Sequence, residues 1–244
     1  MIALAFRSPS LIGFLLAAAT LFLPPLAHAV PDTLEQRLKA CTSCHGKDGR
    51  ATSDGFYPRI AGKPEGYLLN QLKNFRDGKR TYPLMTYMVG NMSDAYLQEI
   101  AQHFSSQHPP YSAPQNAATS TVTLERGRTL VQRGDAIKKI PACIACHGEK
   151  MTGVAPFIPG LLGLPRDYVV AQLGAWQTGS RHARAPDCMA QIAVRLAPQD
   201  IFAVSAWLAA QNMPSNAVAV HASELPAFTL PIACGSVPQE TARP

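Results

Sequence analysis

The strongest constraint on the fold of this chain is a six-residue pattern that occurs twice. Cys-x-x-Cys-His-Gly is found at Cys41–Gly46 and again at Cys143–Gly148. Two thiols three positions apart can form thioethers with the two vinyl groups of one porphyrin, and the next histidine then reaches the iron from the same side. The pattern therefore predicts covalent attachment of haem through Cys41, Cys44, Cys143 and Cys146, with His45 and His147 as iron ligands.

A Cys-x-x-Cys pair is also found in zinc sites and in thioredoxin-like redox centres. A zinc site needs four ligands, and neither motif has a second Cys/His pair nearby. A redox centre of the thioredoxin kind belongs to a βαβ pattern, which this sequence lacks. Because the motif occurs twice with similar sequence downstream of each copy, it predicts two covalently bound haem c groups.

The N-terminus has the pattern of a secretory signal. Arg7 is the only charged residue before Val30, an apolar run from Leu11 to Leu23 follows it, and Ala27-His28-Ala29 has the Ala-x-Ala form of a cleavage site. A membrane anchor needs about 20 uninterrupted apolar residues, and Pro24-Pro25 interrupts this run. The sequence predicts a signal peptide over 1–29, a mature chain from Val30 and a periplasmic location, where disulfides are stable.

The region after the first motif resembles the region after the second. Pro58–Tyr67 aligns with Pro159–Tyr168, and the match continues through the pairs Gln71/Gln172, Phe75/Trp176, Gly78/Gly179 and Arg80/Arg181. A repeat of about 100 residues indicates a duplicated domain. The predicted organisation is a first haem domain over 30–108, a linker rich in Pro, Ser, Ala and Asn over 109–121, a second haem domain over 122–211 and a Pro-rich tail over 212–244.

Both halves show helical periodicity and no alternating strand pattern, so the predicted fold is all-α with two tandem cytochrome c-like domains. Each half has three candidate helices. The first approaches the haem motif, from Leu34 to Ala40 or from Leu124 to Arg133, the latter capped by Thr123. The second begins near Pro64 or Pro165. The third begins at Ser93-Asp94 or at Pro198.

An electron-transfer haem usually has a second axial side chain, most often methionine. The segment before the last helix holds Met85, Met88 and Met92 in the first half but only Met189 in the second. When the last helices are aligned, Met88 falls on Ile192 and Met92 on Leu196, both packing positions. The internal comparison therefore selects Met85 and Met189 as iron ligands, and the alternative is that these methionines only fill the core.

Two cysteines, Cys188 and Cys234, lie outside the motifs. In an oxidising compartment a remaining even pair usually forms a bridge, so the sequence predicts a Cys188–Cys234 disulfide across the segment that carries Met189. Two alternatives stay open at this point. One is a pair of unrelated buried thiols, and the other is Cys188 as a thiolate ligand of iron.

The charge pattern excludes one class of partner. The formal net charge is +6, from 22 Lys and Arg against 16 Asp and Glu. The basic residues are scattered instead of clustered, so no nucleic-acid partner is predicted. The propionates of two haems would also remove up to about four positive charges.

Taken together, these motifs resemble the dihaem class I cytochromes c of the cytochrome c4 type, over roughly Leu34 to Gln211. The resemblance implies that the carbonyls of Pro58 and Pro159 accept hydrogen bonds from the proximal histidines. It also implies that Arg80 and Arg181 lie close to haem propionates; exposed arginines are the alternative. Two features depart from the family pattern: the insertion Gly134–Pro141 and the long tail.

These observations predict a periplasmic dihaem carrier that passes single electrons in a respiratory chain and is not an enzyme. The expected partners are redox proteins, an electron donor and a terminal oxidase or dehydrogenase, with docking on a membrane complex that requires no transmembrane anchor. The alternative is a dihaem electron-accepting subunit of a periplasmic dehydrogenase that oxidises sulfide, thiosulfate or an alcohol. A dihaem peroxidase needs an accessible iron, and methionines in both halves argue against that class.

Overall fold

The computed structural model describes residues 31–52, 55–115, 119–225 and 228–238. The predicted signal peptide and the start at Val30 lie outside these residues. The chain divides into two compact units, Met1–Arg37 and Leu38–Pro244. In the described part of the first unit, Arg37 pairs with Asp32 at 3.4 Å. The second unit contains both haem motifs and both halves of the repeat.

The described part of the first half contains four α-helices. They are α1 (Leu34–His45), α2 (Glu65–Arg76), α3 (Pro83–Val89) and α4 (Asp94–Ser105). Helix α4 begins where the sequence predicts, because the Ser93 side chain accepts a hydrogen bond from the Tyr96 backbone N–H. Helix α2 packs against α4, with Leu68, Phe75, Leu97, Ile100 and Phe104 buried.

The second half repeats this order with one change. Its helices are α5 (Thr121–Gln132), α6 (Ile144–His147), α7 (Arg166–Gln177), α8 (Cys188–Ala193) and α9 (Pro198–Ala209). The prediction of Thr123 as the cap of the first helix is wrong, since Ser120 accepts from the Thr123 N–H. In the first half one helix runs into the motif. In the second half the insertion before Cys143 separates α5 from α6.

The predicted methionine loops are short helices. Met85 lies in α3 and Met189 lies in α8. Their short length hid these helices from the sequence, because seven and six residues are too few for an apolar stripe to show periodicity. A proline at the start of α3 fits the first turn of a helix.

The structure is mostly helical, as predicted, but it also contains a small sheet that the sequence did not reveal. Strand β1 (Gly153–Ala155) pairs antiparallel with β2 (Ile158–Pro159) and parallel with β3 (Val220–His221). Strands of two or three residues cannot show apolar alternation, which explains the omission. Strand β3 belongs to the segment after 211, so the sheet ties this C-terminal segment to the second half.

The helices α5 and α9 form the most extensive helix–helix contact in the described part of the second half. A side chain at Gly127 on α5 would place its Cβ 2.2 Å from the carbonyl oxygen of Ala203 on α9. Only glycine permits this approach. The apolar core of this half surrounds the contact and includes Leu130, Val131, Leu173, Ile201, Val204 and Leu208.

The two halves are joined by backbone hydrogen bonds. The Tyr67 N–H donates to the Pro156 carbonyl at 3.1 Å, and the Thr81 N–H donates to the Ser180 carbonyl at 2.8 Å. Arg80 and Arg181, which correspond in the repeat, face each other in an antiparallel bridge. Within the described residues, no helix is long and apolar enough to cross a membrane.

Candidate haem-binding sites

The first motif occupies the last turn of α1. Cys41, Cys44 and His45 are spaced three and four residues apart, so the helix carries them on one face. His45 is buried, and both cysteines are half-buried. The backbone thus presents two sulfurs and one imidazole to the same side, as attachment of a single porphyrin requires.

The imidazole of His45 is held by the backbone of the following loop. Its Nδ1 lies 2.9 Å from the carbonyl oxygen of Pro58. Burial lowers the pKa of His45, and the positive charge of Arg80 acts in the same direction, while the hydrogen bond to Pro58 opposes them. A neutral ring that donates from Nδ1 keeps the Nε2 lone pair for iron.

The second motif reproduces this geometry from a much shorter helix. In α6, His147 is buried and its Nδ1 lies 2.8 Å from the carbonyl oxygen of Pro159. Burial lowers the pKa of His147, and the charge of Lys63, from the first half, lowers it further against the raising effect of the Pro159 bond. Both histidines are therefore placed in the tautomer that suits an iron ligand.

Three of the four motif thiols are held in their neutral form. Burial raises the pKa of Cys143 to about 12, and it also raises the pKa of Cys41 and Cys146. A zinc ligand or a redox-active thiol works as thiolate, whereas a thioether sulfur is uncharged. Across the described residues, no group of three or more His, Cys, Asp or Glu side chains could hold a metal ion. The environment fits thioethers better than a zinc site.

The methionine candidates differ in position and exposure. Met85 is half-buried in α3, whereas Met88, one turn later, is 36% exposed. Met189 packs against the core of the second half, the same cluster against which Cys143 and Ile144 pack. Met85 and Met189 each lie nine residues before the first residue of the next helix, α4 or α9. The structure thus places this pair at equivalent positions and sets Met88 closer to the surface.

Helix α8 is fixed to its surroundings by three contacts. Cys188 forms a disulfide with Cys234 of the tail, 46 residues later. The Asp187 side chain caps the helix by accepting from the Ala190 N–H at 3.0 Å. At the other end, the Gln177 side chain donates to the carbonyls of Ala193 and Leu196, both at 2.8 Å. Sequence reasoning found the disulfide but missed Asp187 and Gln177, although an Asp before a helix is a cap signal.

Arg80 and Arg181 lie where the halves meet, in a cluster with near two-fold symmetry. The Gln71 side-chain oxygen accepts from Arg80 at 3.0 Å and from Arg181 at 2.9 Å. The Gln172 oxygen likewise accepts from Arg80 at 2.5 Å and from Arg181 at 2.8 Å. Gln71 and Gln172 were visible only as a matching pair in the repeat, which gave no hint that each bonds to both arginines.

The polar groups at this junction fit a cofactor that carries carboxylates. Lys63 and Arg181 are buried, and neither forms an ion pair with an Asp or Glu among the described residues. Burial lowers the pKa of Arg181 to about 10. The Trp176 indole N–H is buried and has no hydrogen-bond partner in the described part of the chain. Haem propionates are anions of the kind that such donors would hold.

Comparisons with known proteins point to the same cofactor. No family model matches the chain. The thiosulfate dehydrogenase electron acceptor of Thiomonas intermedia is 39% identical over 71% of this chain and 79% of its own length. Cytochrome c4 of Pseudomonas aeruginosa is 35% identical over 78% of this chain and 93% of its own length. The crystal structure of reduced cytochrome c4 from Pseudomonas stutzeri aligns with a TM-score of 0.63 and 29% identity, over 73% of this chain and 96% of the other.

Proposed function

Because the chain belongs to the cytochrome c4 family of dihaem electron-transfer proteins, we propose that it carries single electrons between redox partners of a periplasmic respiratory chain. Members of this family carry two covalently bound haem c groups, and this chain has one attachment motif for each. The predicted cofactor and the duplicated, mainly helical fold are thereby confirmed.

The proposed attachment uses one motif per haem, with thioethers to Cys41 and Cys44 in the first half and to Cys143 and Cys146 in the second. When bound, a haem supplies a one-electron couple at its iron. His45 and Met85 would hold the first iron, and His147 and Met189 the second. A thioether ligand favours ferrous iron, which raises the reduction potential of both sites.

The protein's own contribution is to position the cofactor and to exclude water. The Pro58 and Pro159 carbonyls fix the orientation of the two imidazoles. Arg80 and Arg181 are proposed to neutralise propionates at the junction of the halves, where electrons would cross between the haems. With two side-chain ligands on each iron, neither site would be open to a substrate, as a carrier requires.

The observation that carries this proposal is the repeated proximal geometry. Each half places a buried histidine of a Cys-x-x-Cys-His motif at 2.8–2.9 Å from a proline carbonyl. An optical redox titration of the mature protein tests it, with two one-electron waves expected. Carbon monoxide tests whether each iron has two protein ligands. Adding it to the reduced protein should cause no spectral change. Rapid binding would indicate an open coordination position and favour the peroxidase class.

A second candidate is an electron-accepting subunit of a dehydrogenase. It is favoured by the 39% identity to a thiosulfate dehydrogenase electron acceptor. Purification from the native source separates the two functions. A free protein that is reduced by several donors supports the carrier, whereas a stable complex with a dehydrogenase, and reduction only when that enzyme's substrate is added, supports the subunit.

A further inference from the structure

Lys63 is a buried lysine that reaches from the first half into the second. It precedes α2, its residue is 5% exposed, and its Nζ donates to the carbonyl oxygen of Gly160 at 2.8 Å. A lysine is rarely buried to this extent without a charged partner. Among the described residues it forms no ion pair. Burial and, to a lesser extent, the charge of Arg59 lower the pKa of Lys63 to about 7. Below that pH its ammonium group places a positive charge in the junction between the halves.

The acceptor of this hydrogen bond belongs to the loop that holds the second histidine. Gly160 directly follows Pro159, whose carbonyl accepts from His147 Nδ1 at 2.8 Å. Gly160 is also fixed in place, because an added Cβ would lie 2.4 Å from the Thr152 carbonyl oxygen. Lys63 is thus bonded to a rigid carbonyl one residue away from the carbonyl that orients the second iron ligand.

The repeat provides no reciprocal contact for the first haem. The residue equivalent to Lys63 is Leu164, which is buried in the apolar core of the second half. The residue equivalent to Gly160 is Arg59, whose guanidinium donates to the carbonyls of Pro109 and Pro110. The bond from Lys63 to Gly160 therefore runs from the first half to the second and has no equivalent in the other direction.

Lys63 is linked to His147 through two adjacent carbonyls. Its Nζ bonds to the Gly160 oxygen, and the preceding carbonyl, that of Pro159, accepts from His147 Nδ1. Arg80, another cation of the first half at the junction, is half-exposed and hydrogen-bonded to Gln71 and Gln172. A buried charge is screened much less by solvent and salt than a partly exposed one. Lys63 is thus the first-half cation at the junction whose charge reaches the second histidine with least screening.

We propose that Lys63, a residue of the first half, raises the reduction potential of the haem in the second half. Reduction removes one positive charge from the iron, so a nearby cation favours the ferrous state. If a propionate accepts the free N–H groups of Lys63, its negative charge is offset and the potential is raised in the same direction. The inference rests on the proposed attachment of haem to His147.

The test is an optical redox titration of the holoprotein and three Lys63 variants at pH 6. Lys63→Met removes the charge and the hydrogen bond, Lys63→Gln removes the charge and retains a donor, and Lys63→Arg retains the charge. In the Met and Gln variants, the ferrous-to-ferric ratio of the second haem at a fixed potential should fall about tenfold, a shift of about 59 mV, and that of the first haem less than twofold. Lys63→Arg should resemble the wild type.

The control is Lys39→Met, which removes the same charge from an exposed position on α1, and it should move neither wave by more than about twofold. Met189→Ala identifies the second haem's wave. An equal shift of both waves, a shift in Lys63→Met but not in Lys63→Gln, or a shift in Lys63→Arg would overturn the proposal. Carbon monoxide binding by the wild type would instead contradict the carrier function, whatever the Lys63 variants do.

Discussion

The two halves agree on the histidine side of the haem site and differ on the methionine side. His45 and His147 contact Pro58 and Pro159 at nearly equal distances, 2.9 and 2.8 Å. In contrast, α8 is fixed by a disulfide, a cap and a glutamine, whereas α3 has no side-chain cap and exposes Leu84 and Tyr87. The proximal geometry follows from the motif and its loop, while the distal helix can be anchored in different ways.

The largest expected effect is on iron ligation, where the halves should behave alike. Met85→Ala and Met189→Ala should each remove about half of the ferric methionine–iron charge-transfer band, because each takes away the thioether of one haem. Absorbance at the red end of the spectrum measures the loss. Met88→Ala is the control and should leave the band intact. If it removes half of the band, the ligand of the first half lies one helical turn further along.

The next effect, on stability, should differ between the two halves. Replacing both Cys188 and Cys234 by alanine opens a loop of 46 residues, which lowers the stability of the second half by up to about 4 kcal/mol on the chain-entropy account. Guanidinium unfolding followed at the charge-transfer band should show the second haem's share disappearing at lower denaturant.

Asn70→Ala is the control for the disulfide variant, since it removes only the hydrogen bond from Asn70 to the Ser236 carbonyl. It should leave the order of unfolding of the two halves unchanged. Equal midpoints for both halves in the disulfide variant would show that the bridge does not stabilise α8.

A smaller expected difference between the halves is the stability contributed by one aspartate in each, Asp200 and Asp94. Asp200 is buried and accepts hydrogen bonds from Arg126 at 2.8 Å and Lys138 at 2.6 Å. Burial raises its pKa, but these bonds outweigh it and the pKa falls to about 2. Since the unfolded chain binds the proton more tightly, the stabilisation is present above about pH 4 and is lost as the pH falls towards 2.

Asp200→Asn should therefore reduce the stability at pH 6 by about 2 kcal/mol and flatten the pH dependence between pH 4 and 2. Urea unfolding at several pH values measures both. In the first half, Asp94 pairs with Lys73 and Arg76 but is exposed. Asp94→Asn is thus the matched control and should change stability little. The same loss in both variants would show that burial is not the deciding difference.

The smallest expected effect is a loss of stability that should be equal in the two halves. Gln71 and Gln172 each accept from both Arg80 and Arg181. Gln71→Ala and Gln172→Ala should each cost about 1 kcal/mol, because each leaves two guanidinium N–H groups without their acceptor. Urea unfolding measures the loss. If the two variants lose clearly different amounts of stability, the two glutamines contribute unequally despite their similar contacts.

The sequence alone determined those features of this protein that depend on residues close together in the chain or on simple residue counts. Two six-residue motifs specify the attachment chemistry, and Ser93-Asp94 and Pro198 mark helix starts that the structure retains. The repeat identified the equivalent residues of the halves, including Met85 and Met189. Leftover cysteines predicted the Cys188–Cys234 pair that the structure joins. Motif spacing, helix-cap residues and an even number of remaining cysteines each involve only a few residues. They can therefore be recognised in the sequence before the tertiary structure is known.

Only the tertiary structure decided which of the equivalent residues meet. The contacts of Lys63 with Gly160 and of Gln71 with Arg181 cross from one half to the other, and β3 joins the tail to β1. Nothing in the sequence near Lys63 distinguishes a buried cation from a solvated one, because burial depends on which distant surface is packed against it. Duplication gave both halves the same local pattern, and their packing against each other made the two sites unequal.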